Sequence, residues 1–166
     1  HGPAACDRVL QQFAQVLGQL VRTGDYVARW SGSEFLVVFR PMHNRHLPIL
    51  GERIRDAVAR HRFAVGTGEP LALTCSVGLV ECPLFRDARG SLGWEQLVEL
   101  AGRGLDHARR HGRNGWAAFR PRAGGDLPGL AQALSDDPAR QVALGRVQLL
   151  ASPTLTSTPP PGAPRP

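Results

Sequence analysis

Tyr26-Val27-Ala28-Arg29-Trp30-Ser31-Gly32-Ser33-Glu34-Phe35-Leu36-Val37-Val38-Phe39 sets two apolar, β-prone runs around a turn of small residues and one carboxylate. This pattern predicts an antiparallel hairpin, with strands over 25–31 and 34–40 joined at 31–33. Arg22-Thr23-Gly24-Asp25 stands immediately before it. On the N-terminal side, Val9, Leu10, Phe13, Val16, Leu17 and Leu20 recur at helical spacing and predict an amphipathic helix over 5–21. On the other side, Leu50, Ile54, Ala57 and Val58 mark a second helix, opened near Pro48 at a favourable first-turn position. Apolar strand segments follow the Gly66-Thr67-Gly68 turn at 71–74 and 75–81. Trp94, Leu97, Val98, Ala101, Leu105 and Ala108 predict a third helix that stops near Gly112, and 116–119 reads as a short closing strand. Helices punctuating an antiparallel-rich sheet make an α+β fold.

Beyond 121 the pattern changes. Residues 122–125 read as a Gly-containing linker, 127–144 as helical sequence interrupted by Pro138, and 146–150 as an edge strand. Residues 152–166 are dense in Pro, Thr and Ser, a composition expected to stay disordered. The organisation expected is therefore a domain over 1–121, an extension over 122–151 and a tail over 152–166, with no internal repeat.

Composition narrows the function classes. The chain has 166 residues, enough for one compact domain with an irregular extension. Its 20 basic side chains are all arginine, against 14 acidic ones, for a net charge of +6. That balance favours anionic partners. The arginines are dispersed, which together with abundant Ala, Gly and Pro reads as nucleotide-composition bias rather than a DNA-binding surface. An RNA-binding α+β module would need an exposed aromatic pair on a central strand, which is not evident. Cys6, Cys75 and Cys82 show no Cys-x-x-Cys spacing and read as reduced, partly buried thiols of a cytoplasmic protein. No apolar run approaches the ~18 residues of a membrane span, and no signal peptide is visible. His1 is no initiator, so the chain is expected to be part of something longer.

Four separated segments together resemble GGDEF domains, the family of diguanylate cyclases and their inactive relatives. Ser31-Gly32-Ser33-Glu34-Phe35 stands where the family has Gly-Gly-Asp/Glu-Glu-Phe. His1-Gly2-Pro3-Ala4-Ala5-Cys6-Asp7 is similar to the end of its Gly-His-x-x-Gly-Asp segment, with Pro3 and Cys6 departing from it. Ser76-Val77-Gly78 resembles its Ser-Ile/Val-Gly strand, and Ala108-Arg109-Arg110-His111-Gly112-Arg113-Asn114 its Ala-Lys-x-x-Gly-Arg-Asn helix end. The resemblance covers 1–121 and implies a nucleotidyl-cyclase-like sheet with a ferredoxin-like core. In the family the first strand of that sheet carries a metal-binding aspartate and is followed by a guanine-contacting asparagine. Both lie upstream of His1. The expectation is a sheet with an empty slot, left open or filled by another segment such as 146–150.

Cyclisation of a nucleoside triphosphate needs divalent cations, and hard Mg²⁺ prefers carboxylate oxygens. The family places acids at the third and fourth signature positions. Glu34 matches the fourth and is a weak metal-ligand candidate. Ser33 occupies the third, and a neutral hydroxyl cannot replace a carboxylate's charge. No residue of this signature is therefore assigned a catalytic role, and Mg²⁺ is expected only with residual GTP binding. The resemblance further implies nucleotide contacts by Asp7 (guanine), Gly32 (close phosphate approach), Arg109 and Arg113 (phosphate). Arg109 replaces a lysine, keeping charge but changing donor geometry. The plainer alternatives are a turn glycine, a solvated carboxylate and a basic helix end that complements the helix dipole.

Arg22-x-x-Asp25 followed by a strand and the signature turn has the spacing of the family's inhibitory site, with Arg53 where the family places a third contact. The chemistry suits cyclic di-GMP. An arginine fork bonds guanine O6 and N7, a carboxylate accepts from N1–H and N2–H, and a further arginine suits a phosphate. The plainer alternative is a local ion pair capping a helix-to-strand turn, worth about 0–1 kcal/mol if exposed. Three readings follow. The chain is a catalytically degenerate receptor for cyclic di-GMP, an active cyclase when full length, or a pseudoenzyme interaction module that binds GTP or nothing. Homodimerisation or contact with neighbouring signalling domains is expected in each.

Overall fold

The computed structural model describes residues 2–40, 47–66, 68–81, 92–121 and 130–155. They form two compact units, one of His1–His46 with Arg53–Cys75 and the other of Leu47–Glu52 with Ser76–Pro166.

The first unit holds helix α1 (Pro3–Leu20), the hairpin β1 (Tyr26–Ser31) and β2 (Glu34–Val38), and most of helix α2 (Leu47–Arg60). A two-residue pair, β3 (Arg62–Phe63) with β4 (Leu71–Ala72), completes it. The apolar stripe of α1 delivers Val9, Phe13 and Val16 to a core with Val58 and Phe63, which are wholly buried. Phe13 stacks on Phe35 and on Phe63, with ring centroids 5.1 and 6.3 Å apart. The fifth signature residue, half-buried, is thus a packing partner of α1. The hairpin pairs Tyr26 with Val38 through Arg29 with Phe35, then slips by a bulge to pair Ser31 with Glu34. The side-chain amide of Gln12 behaves like a strand residue, donating to the Ala64 carbonyl at 2.8 Å and accepting from its amide at 2.9 Å. β3 was not foreseen, since two residues are too few to carry a period.

The second unit is built on the sheet β5 (Val77–Val80), β6 (Trp116–Pro121) and β7 (Val147–Ala151), in that order. β5 and β6 run parallel, joined through helix α3 (Trp94–Arg110), whereas β6 and β7 are antiparallel. Parallel neighbours require such a crossover. Helix α3 presses so closely on β5 that a methyl on Gly78 would run into the Ala101 carbonyl. The glycine of Ser76-Val77-Gly78 is therefore a packing residue. Leu97, Leu100, Phe119, Leu134 and Val147 form the core between helix and sheet. Trp116 Nε1 donates to Glu52 Oε1 at 2.9 Å. Short helices α4 (Leu130–Asp136) and α5 (Pro138–Ala143) break at Pro138, where the Asp137 carboxylate caps α5 through the Arg140 amide.

The edge strand expected at 146–150 is β7, which pairs with β6; among the described residues β5 likewise has β6 as its one strand partner, so β7 does not extend the sheet on the β5 side. The disorder expected from 152 is corrected for its first four residues. Ser152 is wholly buried, and Pro153–Leu155 form a 3₁₀ turn with Leu155 4% exposed. Proline and threonine made this stretch look low in complexity, but Leu155 finds an apolar seat on Ala108 and Ala117. The linker at 122–125 and residues 156–166 of the tail lie outside the described residues, as does Cys82. Cys6 is exposed rather than partly buried.

Candidate functional site

The end of α1 meets the start of β1 in a tight corner. Asp25 is tied down there by both of its oxygens. The Arg22 amide donates to Oδ2 at 3.0 Å and the Arg40 amide to Oδ1 at 2.8 Å, leaving the side chain 2% exposed. These donations, from Arg22 first and then Arg40, hold the carboxyl below its usual value against the opposing effect of desolvation. The carboxylate thus joins the end of α1 to the end of β2, fifteen positions along the chain. Gly24 has a φ of +93°, and the Arg40 guanidinium lies over it where any side chain would sit. Arg40 was not singled out from sequence, because its role comes from hairpin register and not from any local motif.

The Arg22 side chain is 57% exposed and sits 4.0 Å from Asp25 Oδ2, a loose ion pair. Arg53, on α2, donates from Nη2 to the Leu20 carbonyl at 2.8 Å. That carbonyl belongs to the last turn of α1, where orphan acceptors and the negative end of the helix dipole favour a cation. Arg22, Asp25 and Arg53 are therefore all found around the end of α1. Asp25 already serves as a backbone clamp, so a ligand N–H would have to use lone pairs that the two amides leave.

The signature turn is built differently. Ser31, Gly32 and Ser33 are exposed and Glu34 is half-buried. Gly32 takes φ +46° with open space around it, and Arg29 Nε donates to its carbonyl at 2.9 Å. Arg29 is a second residue that the motif reading passed over; its position three residues before Gly32 is the signal. Among the described residues no group of three or more His, Cys, Asp or Glu side chains is placed to hold a metal ion. With Ser33 neutral, the turn brings a single carboxylate, which does not make a magnesium site on its own.

The remaining nucleotide candidates are divided. Asp7, exposed on α1, and Gly32 belong to the first unit, while Arg109 and Arg113 belong to the second. Both arginines are exposed, Arg109 lying 3.9 Å from Asp106. His107 and His111 stack beside them at 3.9 Å. Burial, and then the neighbouring His111, lower the His107 pKa.

The profile of a family described as "Diguanylate cyclase, GGDEF domain" matches residues 1–115. The chain is 32% identical over 108 residues to diguanylate cyclase DosC of Escherichia coli (strain K12), covering 65% of this chain and 22% of that protein. It is 34% identical over 113 residues to diguanylate cyclase DgcP of Pseudomonas aeruginosa, covering 68% and 16%. Diguanylate cyclase A of Treponema denticola is 28% identical over 114 residues, covering 69% and 29%. The chain thus spans between about a sixth and three tenths of these relatives. No helix among the described residues is long and apolar enough to cross a membrane.

Proposed function

Because the chain belongs to the GGDEF family of diguanylate cyclase domains, we propose that it is a receptor module for cyclic di-GMP, not a source of it. The observation that carries this reading is the gathering of Arg22, Asp25 and Arg53 at the end of α1. Arg22 offers an exposed fork for the O6 and N7 edge of a guanine, and charge-assisted bidentate bonds of this kind are among the stronger ones available. Arg53 supplies positive charge for a phosphate from a second helix. Asp25 holds the loop that aims Arg22, and its remaining lone pairs accept from guanine N–H. Glu34 and Gly32 are left with at most weak metal or phosphate contact, with Mg²⁺ relevant only where GTP binds. Asp7, Arg109 and Arg113 serve that residual guanine-nucleotide binding. The module acts in the cytoplasm, as a homodimer or against neighbouring signalling domains.

Isothermal calorimetry tests this directly. Cyclic di-GMP should bind the wild-type chain and bind Arg22→Ala about a hundredfold more weakly; an absence of heat from the wild type at high micromolar ligand would defeat the reading. An active cyclase is the second reading, favoured by the names of the relatives. Chromatography after incubation with GTP and Mg²⁺ decides it, since any cyclic product would restore catalysis.

A further inference from the structure

The helix end that carries Arg109 and Arg113 finishes in an unusual loop. Gly112, Arg113 and Asn114 follow one another with φ of +122°, +57° and +45°. Two of these are not glycine, so left-handed backbone is held where L side chains resist it. One bond of the loop is local, from the Arg113 amide to the Ala108 carbonyl at 2.9 Å. The Val77 amide holds the Gly115 carbonyl at 2.8 Å, and further support comes from residues 152–155, which lie beyond the 1–115 stretch matched to the family.

That support is specific. Ser152 and Trp116 exchange bonds, amide to carbonyl at 2.9 Å in one direction and amide to Oγ at 3.2 Å in the other. Ser152 Oγ also pairs with Thr154 Oγ1 at 2.9 Å, and Thr154 Oγ1 reaches the Asn114 carbonyl at 3.4 Å. Leu155 sits on Ala108 and Ala117, and a methyl on Gly115 would come within 2.7 Å of it. The Thr154 carbonyl backs Gly112 in the same way, 3.5 Å from where its methyl would be. Strand β7 anchors this short segment to β6. The loop is thus braced by its own helix, by Val77 at its exit and by the C-terminal turn.

We propose that Ser152, Thr154 and Leu155 are positioning residues for the Arg113 loop, and that guanine-nucleotide phosphate binding there depends on them. This rests on the reading that Arg109 and Arg113 meet phosphate. A strained loop held by packing presents its arginine with the ordering cost already met, and loosening the brace returns that cost to the ligand. The dependence extends to phosphates at this loop and not to cyclic di-GMP at the Arg22 corner.

Calorimetric titration of the full chain with GTP and, separately, with cyclic di-GMP tests the brace. Leu155→Ala and Ser152→Ala should each weaken GTP binding about tenfold, approaching the Arg113→Ala reference, while cyclic di-GMP affinity stays within about twofold. Native trypsin should cut after Arg113 faster in both variants. GTP affinity unchanged in a variant whose loop has opened to trypsin would overturn the proposal, as would a wild type that binds cyclic di-GMP but not GTP. Loss of cyclic di-GMP binding by the wild type, with the GTP pattern intact, would instead count against the receptor reading alone. Should Leu155→Ala unfold, Leu155→Val carries the same two titrations with the same outcomes.

Discussion

The Arg22–Asp25 corner and the 31–34 turn stand a few residues apart on one hairpin, yet the chain uses them in opposite ways. At the corner, the acidic residue is sequestered and accepts two backbone amides, so the fold itself requires it. At the turn, Ser31, Gly32 and Ser33 are exposed, and the wall of the hairpin is held instead by Phe35 against Phe13. The contrast teaches how to weigh a motif. A carboxylate at position 25 is explained by folding alone, whereas the side chain at position 33 is under no folding demand, and its identity speaks only to chemistry. The informative residue of the corner is therefore Arg22, whose guanidinium has little structural duty.

The comparison can be broken most forcefully at Arg22. Arg22→Ala should weaken cyclic di-GMP binding by about a hundredfold, the worth of a good bidentate base contact. It should leave the thermal midpoint within about a degree, since an exposed 4.0 Å pair contributes little. A large loss of stability with unchanged affinity would show that the residue is structural after all. Arg53→Ala comes next. It removes both the phosphate charge and the donor to the Leu20 carbonyl. Affinity should fall about tenfold, and the end of α1 should lose hydrogen-exchange protection.

Asp25 sharpens the comparison from the folding side. Asp25→Ala should lower the thermal midpoint by several degrees with or without ligand, because two amides lose their acceptor. The pH dependence has a definite sign. The folded carboxyl titrates below its ordinary value of 3.8, so its contribution is complete above that value. It is lost as pH falls further, through the folded pKa. Denaturant melts of wild type and Asp25→Asn should therefore converge in strong acid and diverge toward neutrality.

The hairpin, α1 and α3 were legible because alternation and helical spacing are local properties of side chains. So was the Arg22-x-x-Asp25 spacing. What the carboxylate does was not legible, since its second amide comes from Arg40, which only strand register brings near. Residues 152–155 were misread for a related reason. Their seat is made by small residues, Ala108 and Gly115 among them, about forty positions earlier, and composition is blind to such a match. Arg62–Phe63 escaped because a strand of two residues has no period.

The turn supplies the smaller effects. Gly32→Ala should cost about 1 kcal/mol in denaturant melts, because φ +46° is left-handed although the space is open. Ser33→Asp should leave stability within about 0.5 kcal/mol, as for other exposed positions without structural partners. A large change from either would mean that the turn carries folding duty and that the contrast with the corner is false.

Amide chemical-shift mapping during a cyclic di-GMP titration sets the two regions against each other in a single experiment. Shifts concentrated at Arg22, Thr23, Gly24 and Arg53, with 31–34 undisturbed, are the expected result. Shifts centred on 31–34 while the corner stays still, or none anywhere, would contradict it.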